Sequence, residues 1–322
     1  MFAKGKKGRV GAIASILIMS MLLVSFLSIS LASANGTPKP RTWHVNVSVE
    51  NKNHAIQGMA FLPGVLWINV GDTVVWTVKA GDIHTVTFLE PGKTPPPFDP
   101  ADPTQTTKQG GSVYDGKSYF NSGLMSNFPA LQLALTYSLT FGVPGDFTYH
   151  CLVHPSMNGI VHVQTAGTPY PFTQQDYNQQ INSGNQAILK DGRKLAGIAQ
   201  DQSNNHNVTL GIGDGLVGVM RFFPQNIVVH VGDTVTFTNR DSMNPHTVSF
   251  GTFPPNFNNF FPLNNSTAKA FDGSVPLNSG FLGANFPAGT TYQVKFVKAG
   301  TYAFRCDLHD FLGMLATIVV KP

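Results

Sequence analysis

Two short stretches hold the only two cysteines of this 322-residue chain. One reads Tyr149-His150-Cys151-Leu152-Val153-His154-Pro155-Ser156-Met157; the other reads Phe304-Arg305-Cys306-Asp307-Leu308-His309-Asp310-Phe311-Leu312-Gly313-Met314. In each, a histidine stands three residues after the cysteine and a methionine follows shortly. A thiolate, an imidazole and a thioether on one loop form a soft sulfur-and-nitrogen donor set, which suits copper. One further imidazole completes each set. His84 and His246 supply it, each opening a short Thr-Val-x-Phe run, His84-Thr85-Val86-Thr87-Phe88 and His246-Thr247-Val248-Ser249-Phe250.

The elements that must position these side chains are written twice. A constant offset places Met59, Phe61 and Pro63 on Met220, Phe222 and Pro224, and Gly71-Asp72-Thr73-Val74 on Gly232-Asp233-Thr234-Val235. Asn121-Ser122-Gly123 matches Asn278-Ser279-Gly280, and Asn127-Phe128-Pro129 matches Asn285-Phe286-Pro287, with most of the length change in the middle loop. A repeat of this length is a duplicated domain. Within each copy, short alternating runs such as Thr73 to Val78 and Tyr137 to Phe141 are separated by Gly-Asp and proline turns, which predicts strands of a β-sandwich or barrel. The segment from Pro91 to Gly111 reads as a long surface loop.

Composition supports an all-β class. Glycine (32), proline (22) and phenylalanine (24) are plentiful, and only 12% of residues are charged, which fits turn-rich β structure better than helix bundles or disorder. The length suits roughly two domains of about 150 residues. The expected organisation is residues 1–34 as leader, 42–165 as the first domain, 166–204 as a connector and 205–322 as the second domain. Thr173 with Asp176 three residues on predicts a helix start in the connector, with Tyr177, Ile181, Ile188 and Leu195 along one side. Ser183-Gly184 and Asp191-Gly192 interrupt that pattern, so the connector is expected to hold one or two short helices.

The leader carries Lys4, Lys6, Lys7 and Arg9, then an apolar run over residues 10–31, then Ala32-Ser33-Ala34. This is the pattern of an export signal, and the apolar run is also long enough for an uncleaved membrane tether. Either reading places the rest of the chain outside the cytoplasm, secreted or held at the outer face of the membrane. Those four cations account for the formal charge of +4. The remainder is neutral, which argues against a nucleic-acid partner.

An early histidine followed by Cys-x-x-His and a nearby methionine resembles the cupredoxins, the plastocyanin and amicyanin group of type 1 copper proteins. Cys151-x2-His154-x2-Met157 resembles the short amicyanin-type loop, and Cys306-x2-His309-x4-Met314 the plastocyanin-type loop. The resemblance covers roughly residues 55–165 and 215–321. It implies two tandem Greek-key cupredoxin domains, each with one type 1 copper: His84, Cys151, His154 and Met157 in the first, and His246, Cys306, His309 and Met314 in the second. Where many members have asparagine after the first histidine, this chain has Thr85 and Thr247, whose hydroxyls are expected to brace the cysteine loop. A free cysteine or a methionine is more often core filler than ligand. Four ligand types recurring in order, twice and in repeat register, outweigh that reading.

The implied role is single-electron carriage between redox partner proteins or membrane electron-transfer components, without catalysis. Pro155, Phe311 and Leu312 are expected to form a docking face where His154 or His309 reaches the surface. Two other classes compete: a copper oxidase or nitrite reductase relative, and an extracytoplasmic copper store. Multicopper oxidases resemble the two-domain layout but need paired His-x-His motifs, of which this sequence has none. In copper nitrite reductases a histidine in the place of His150 binds a second copper, together with a histidine five residues after the first type 1 histidine. That second position is Leu89 here, and the other repeat has Gly251 and Arg305. His44, His54, His162, His206 and His230 share no such spacing and are expected at solvated or core positions.

Overall fold

The structure, a computed structural model, describes residues 39–251 and 269–322. The leader, with its apolar run at 10–31, lies outside the described residues. Among those described, no helix is long and apolar enough to cross a membrane.

Each repeat folds as two facing sheets. In the first repeat one sheet runs Phe61–Leu62, Thr42–Val47, Thr73–Val78, Thr136–Phe141 and Val113–Tyr114 from edge to edge. The other runs Val65–Asn69, Asn158–Gln164, Gly145–His150, Thr87–Phe88 and Phe120–Asn121. Strands alternate between buried and open residues, as in Thr136–Phe141, because successive side chains point to opposite faces. The inward rows meet in a core that includes Trp43, Trp76, Phe88, Phe141 and Tyr149. The second repeat has the equivalent sheet Asn226–His230, Leu315–Lys321, Gly300–Arg305, Ser249–Phe250 and Leu277–Asn278. Its core includes Phe222, Phe237, Phe250, Phe296 and Phe304. The fold is the all-β pair of sandwiches that the strand pattern predicts.

The remaining sheet of the second repeat contains a strand from the first. It runs Lys269–Phe271, Thr291–Phe296, Thr234–Asp241, Asn207–Gly213, Val217–Phe223 and finally Ile56–Gly58. Ile56, Gln57 and Gly58 pair antiparallel with Val219, Gly218 and Val217. Met59, next along the chain, is buried in the second core. A segment that the repeat pattern reads as the first copy's own therefore closes an edge of the second, which removes one exposed row of unpaired backbone groups.

The connector forms one helix, Gln174–Asp201, unbroken for 28 residues and longer than the sequence pattern suggests. Thr173 caps it: its hydroxyl accepts from Asp176 N while the Asp176 carboxylate accepts from Thr173 N. Tyr177 and Ile181 are buried, and Ile188 and Leu195 pack against a cluster that includes Ile56, Val217 and Val219. The two interrupting glycines have packing reasons. A Cβ at Gly184 would lie 2.8 Å from Leu62 Cδ2, and one at Gly192 would collide with Ile56. Glycine lets the helix lie close on the sheets, at a loss of helix propensity that tertiary packing offsets.

Candidate metal centres

Cys151 directly follows the strand Gly145–His150, and Cys306 follows Gly300–Arg305, so the last strand pair of each sandwich sets where each sulfur sits. His84 and His246 are held by two-way backbone bridges. His84 exchanges hydrogen bonds of 2.9 and 2.8 Å with Met125, and His246 exchanges bonds of 3.0 and 2.8 Å with Leu282. The loop closes on itself behind the ligands. Cys151 N donates to Met157 O at 2.9 Å and Met157 N to His154 O at 2.9 Å; Cys306 N donates to Met314 O at 3.1 Å and Met314 N to His309 O at 3.1 Å. The second loop, longer by two residues, holds a single three-residue turn, Asp310–Leu312, which ends at Gly313 with φ 87°. That left-handed conformation favours glycine.

The side chains converge. Cys151 Sγ lies 3.9 Å from His84 Nδ1 and 3.7 Å from His154 Nδ1, and the two Nδ1 atoms are 3.2 Å apart. In the second repeat the same distances are 3.7, 3.5 and 3.1 Å. All six residues are buried. Met157 and Met314 are buried as well, each in the same core cluster as its cysteine.

These spacings test whether a metal fits. For zinc, metal–nitrogen and metal–sulfur bonds of about 2.0–2.1 and 2.3 Å in one plane would put nitrogen about 3.6 Å from nitrogen and about 3.8 Å from sulfur. Both triangles agree with a first-row ion to within about half an ångström. Two imidazoles and a thiolate turned inward in a dry pocket, with a methionine nearby, form the donor set of a type 1 copper site.

Electrostatics keep the sulfurs in their ligating form. Burial alone would raise the Cys151 thiol, but hydrogen bonding and positive charge at His154 and His84 outweigh it and hold the thiol well below its ordinary value. Cys306 is pushed down to about 5: burial opposes, and charge on His309 with the hydrogen bond from His246 prevails. A thiolate is the form that binds metal. Backbone amides support it, since Thr85 N donates to Cys151 Sγ at 3.4 Å and Thr247 N to Cys306 Sγ at 3.3 Å.

The expected threonine brace is present in both copies. Leu152 N donates to Thr85 Oγ1 at 2.8 Å, and Asp307 N to Thr247 Oγ1 at 2.8 Å. Each threonine thus fastens the residue after the cysteine to the residue after the first histidine.

Two acids at the centres escaped the reading of the sequence. Asp82 Oδ2 lies 3.5 Å from His154 Nε2, and Asp241 Oδ2 lies 3.9 Å from His246 Nε2. Both carboxylates are buried. The copies differ in which histidine the acid faces: the loop histidine in the first, the early histidine in the second. Burial would lower the pKa of His154, yet Asp82 and then the thiolate raise it to about 10. Burial works likewise against His246, which Asp241 and Cys306 push up to about 9. Asp82 itself is held below the usual carboxylate range; burial opposes this, and His154 outweighs it with smaller contributions from His309 and His84. A carboxylate behind a ligating imidazole fixes the ring and raises its basicity. The available signal was an acid within five residues of a ligand histidine in a chain with few charges.

The surface docking role expected of the loop histidines is not supported. His154 is 2% exposed and His309 6%, and each loop touches the other repeat, through Ser156 on Gly215 and Phe311 on Phe128. Leu312 is buried, and Phe311 packs against Phe128 with ring centroids 5.1 Å apart. Pro155 alone of the expected face is exposed. His150 is partly buried at the end of its strand, in register with Thr87 and Asn158, and joins neither cluster. His54, His162 and His206 pair with Glu50, Asp146 and Asp233.

Comparison with known proteins agrees with this chemistry. The family model for copper binding proteins of the plastocyanin/azurin family matches residues 206–321. Plastocyanin of Vicia faba is 34% identical over 114 residues, 35% of this chain and 98% of that one. Plastocyanin of Capsella bursa-pastoris is 31% identical over 115 residues, again 35% and 98%. This chain belongs to the plastocyanin/azurin family. Its cofactor is therefore copper, and the two buried clusters are compatible with two copper sites. Among solved structures, the oxidized form of plastocyanin from Dryopteris crassirhizoma aligns at 21% identity with 36% of this chain and 99% of that one, with a TM-score of 0.25. Each of the two plastocyanins matches about a third of this chain, roughly the length of one repeat.

Proposed function

We propose that this protein is a two-centre electron carrier that works outside the cytoplasm. His84, Cys151, His154 and Met157 hold one type 1 copper, and His246, Cys306, His309 and Met314 hold the other. The carrying observation is that both buried Cys-His-His triangles are already spaced for a trigonal ion. Copper bound there supplies a reversible one-electron couple. The chain's part is to keep that site unchanged between oxidation states: the backbone bridges at Met125 and Leu282, the threonine braces and the amide bonds to sulfur each restrain a donor. Rigid, pre-formed ligation leaves little to rearrange when an electron arrives. The leader pattern at residues 1–34 supports an extracytoplasmic location, where redox partner proteins or membrane electron-transfer components would donate and accept electrons.

The test is spectroscopic. Copper-loaded protein should show intense thiolate-to-copper absorption and the spin-resonance signature of type 1 copper. Cys151→Ser and Cys306→Ser should each remove about half of that absorption, one of two sulfur donors being lost. A variant that keeps the whole band would refute ligation at that cysteine. Extra copper signals would favour an oxidase or nitrite reductase relative, and rapid metal exchange a copper store.

A further inference from the structure

The ligand loops of the two centres face the seam between the repeats. On the second-repeat side, Leu312 lies three residues after His309, and its backbone N donates to His309 O at 3.0 Å. The Leu312 side chain rests on Gly81: a Cβ placed there would lie 2.7 Å from Leu312 Cδ2. Arg221 clips the same loop across the seam, donating to Leu312 O at 2.7 Å and to Asn53 O. On the first-repeat side, Ser156, between His154 and Met157, donates to Gly215 O at 2.7 Å. Each centre's loop is thus seated on the other repeat.

Asp82 occupies the middle of this seam. It follows Gly81, the residue under Leu312. Its backbone N donates to Gln57 Oε1 at 3.3 Å, and Gln57 belongs to the strand that crosses into the second repeat's sheet. Its Oδ1 accepts from Ile83 N at 2.7 Å, while Oδ2 faces His154 Nε2 and has no hydrogen-bond partner at normal distance. One buried acid therefore stands against the outer edge of the first centre's loop histidine and next to the residue on which the second centre's loop rests.

We propose that the two centres exchange electrons inside the chain across this seam, with Asp82 as the positioning residue that holds the His154 imidazole toward the His309 loop. The inference rests on the two-copper reading above. One centre loses an electron as the other gains it, so the chain needs no proton, bond change or outside reagent for the exchange. Electron coupling through protein falls steeply with distance, and packed, dry contacts carry it better than solvent gaps. Both loop histidines are buried, and each loop touches the other repeat.

The experiment uses the full chain loaded with copper. The Cys151→Ser and Cys306→Ser spectra first establish whether both centres exist; their failure refutes the two-copper reading itself, separately from the exchange. On protein with both bands, a light flash in the presence of a photoreductant delivers less than one electron per chain, and absorption follows its redistribution. The expected relaxation is first-order, with a rate unchanged on dilution of the protein. Asp82→Leu should slow it by about tenfold or more, while Asp82→Asn, which keeps the shape and a polar contact to Nε2, should restore most of the rate. Pulsed spin resonance of the fully oxidised protein should resolve dipolar coupling between the two centres, absent in either cysteine variant. A relaxation rate proportional to protein concentration, no resolved coupling, or an Asp82→Leu rate equal to that of the unaltered protein would each overturn the proposal. Should Asp82→Leu fail to fold, dilution and dipolar coupling still decide.

Discussion

At the scale of residues, the centres depend on small polar groups with few alternatives. Thr85 and Thr247 are buried, and each hydroxyl accepts the amide of the residue after the ligand cysteine. Thr85→Val preserves shape and removes the acceptor, stranding the Leu152 N–H in a dry pocket. An unsatisfied buried donor costs about 1–3 kcal/mol. We expect Thr85→Val to lower unfolding free energy by about that amount and Thr247→Val to act alike, with both measured by denaturant titration. Loosening the loop should also speed copper loss to a chelator by about tenfold, as when other groups behind a ligand are removed. Unchanged stability together with unchanged metal loss would show that the brace is dispensable. The acids differ in kind from the threonines, because Asp82 and Asp241 touch different histidines of their sets. With the unequal spacing to Met157 and Met314, this makes the two centres inequivalent.

At the scale of elements, the long helix shows how packing overrules local preference. Its glycines weaken it locally, yet two of the three mark contacts with the sheets. Gly192 faces Ile56, Gly184 faces Leu62, and Gly197 has nothing within 4 Å of a notional Cβ. The same substitution should therefore change sign along one helix. Gly197→Ala should stabilise by about 0.5–1 kcal/mol, since alanine has the higher helix propensity and meets no obstacle. Gly192→Ala should destabilise by about 1–3 kcal/mol, because the added methyl must displace Ile56. Thermal unfolding of the two variants provides the comparison. Equal shifts in one direction would show that the helix does not sit as closely on Ile56 as described. The start of the helix was legible from Thr173 and Asp176. Its uninterrupted length was not, because the reason for each glycine lies in a sheet distant in sequence.

At the scale of the whole molecule, the strand Ile56–Gly58 ties the repeats together. It pairs with Val217–Phe223, and Met59 fills the second core from the first repeat. A fragment of residues 205–322 alone would expose the Val217–Phe223 edge and leave the place of Met59 empty. An open edge recruits another strand, and a lost buried methionine costs about 2–5 kcal/mol. We expect this fragment to self-associate, seen by size-exclusion chromatography, and to become monomeric when a peptide spanning residues 49–62 is added. A monomeric fragment without the peptide would show that the crossing strand is not needed.

Much of the chemistry was settled along the chain itself. Cysteine at a strand end with histidine three residues on places both donors on one tight loop, and repetition of that loop with an earlier histidine gives a donor set that suits copper and resembles the cupredoxins. Alternation of period two and Gly-Asp turns likewise fix strands before any tertiary contact is known. Tertiary structure decided what faces what. Burial of His154 and His309, the placement of Asp82 behind His154, and the crossing of Ile56–Gly58 each join residues far apart in sequence. No local pattern encodes such pairings, because they arise only when two sandwiches, each hydrophobic inside, also find their outer faces complementary.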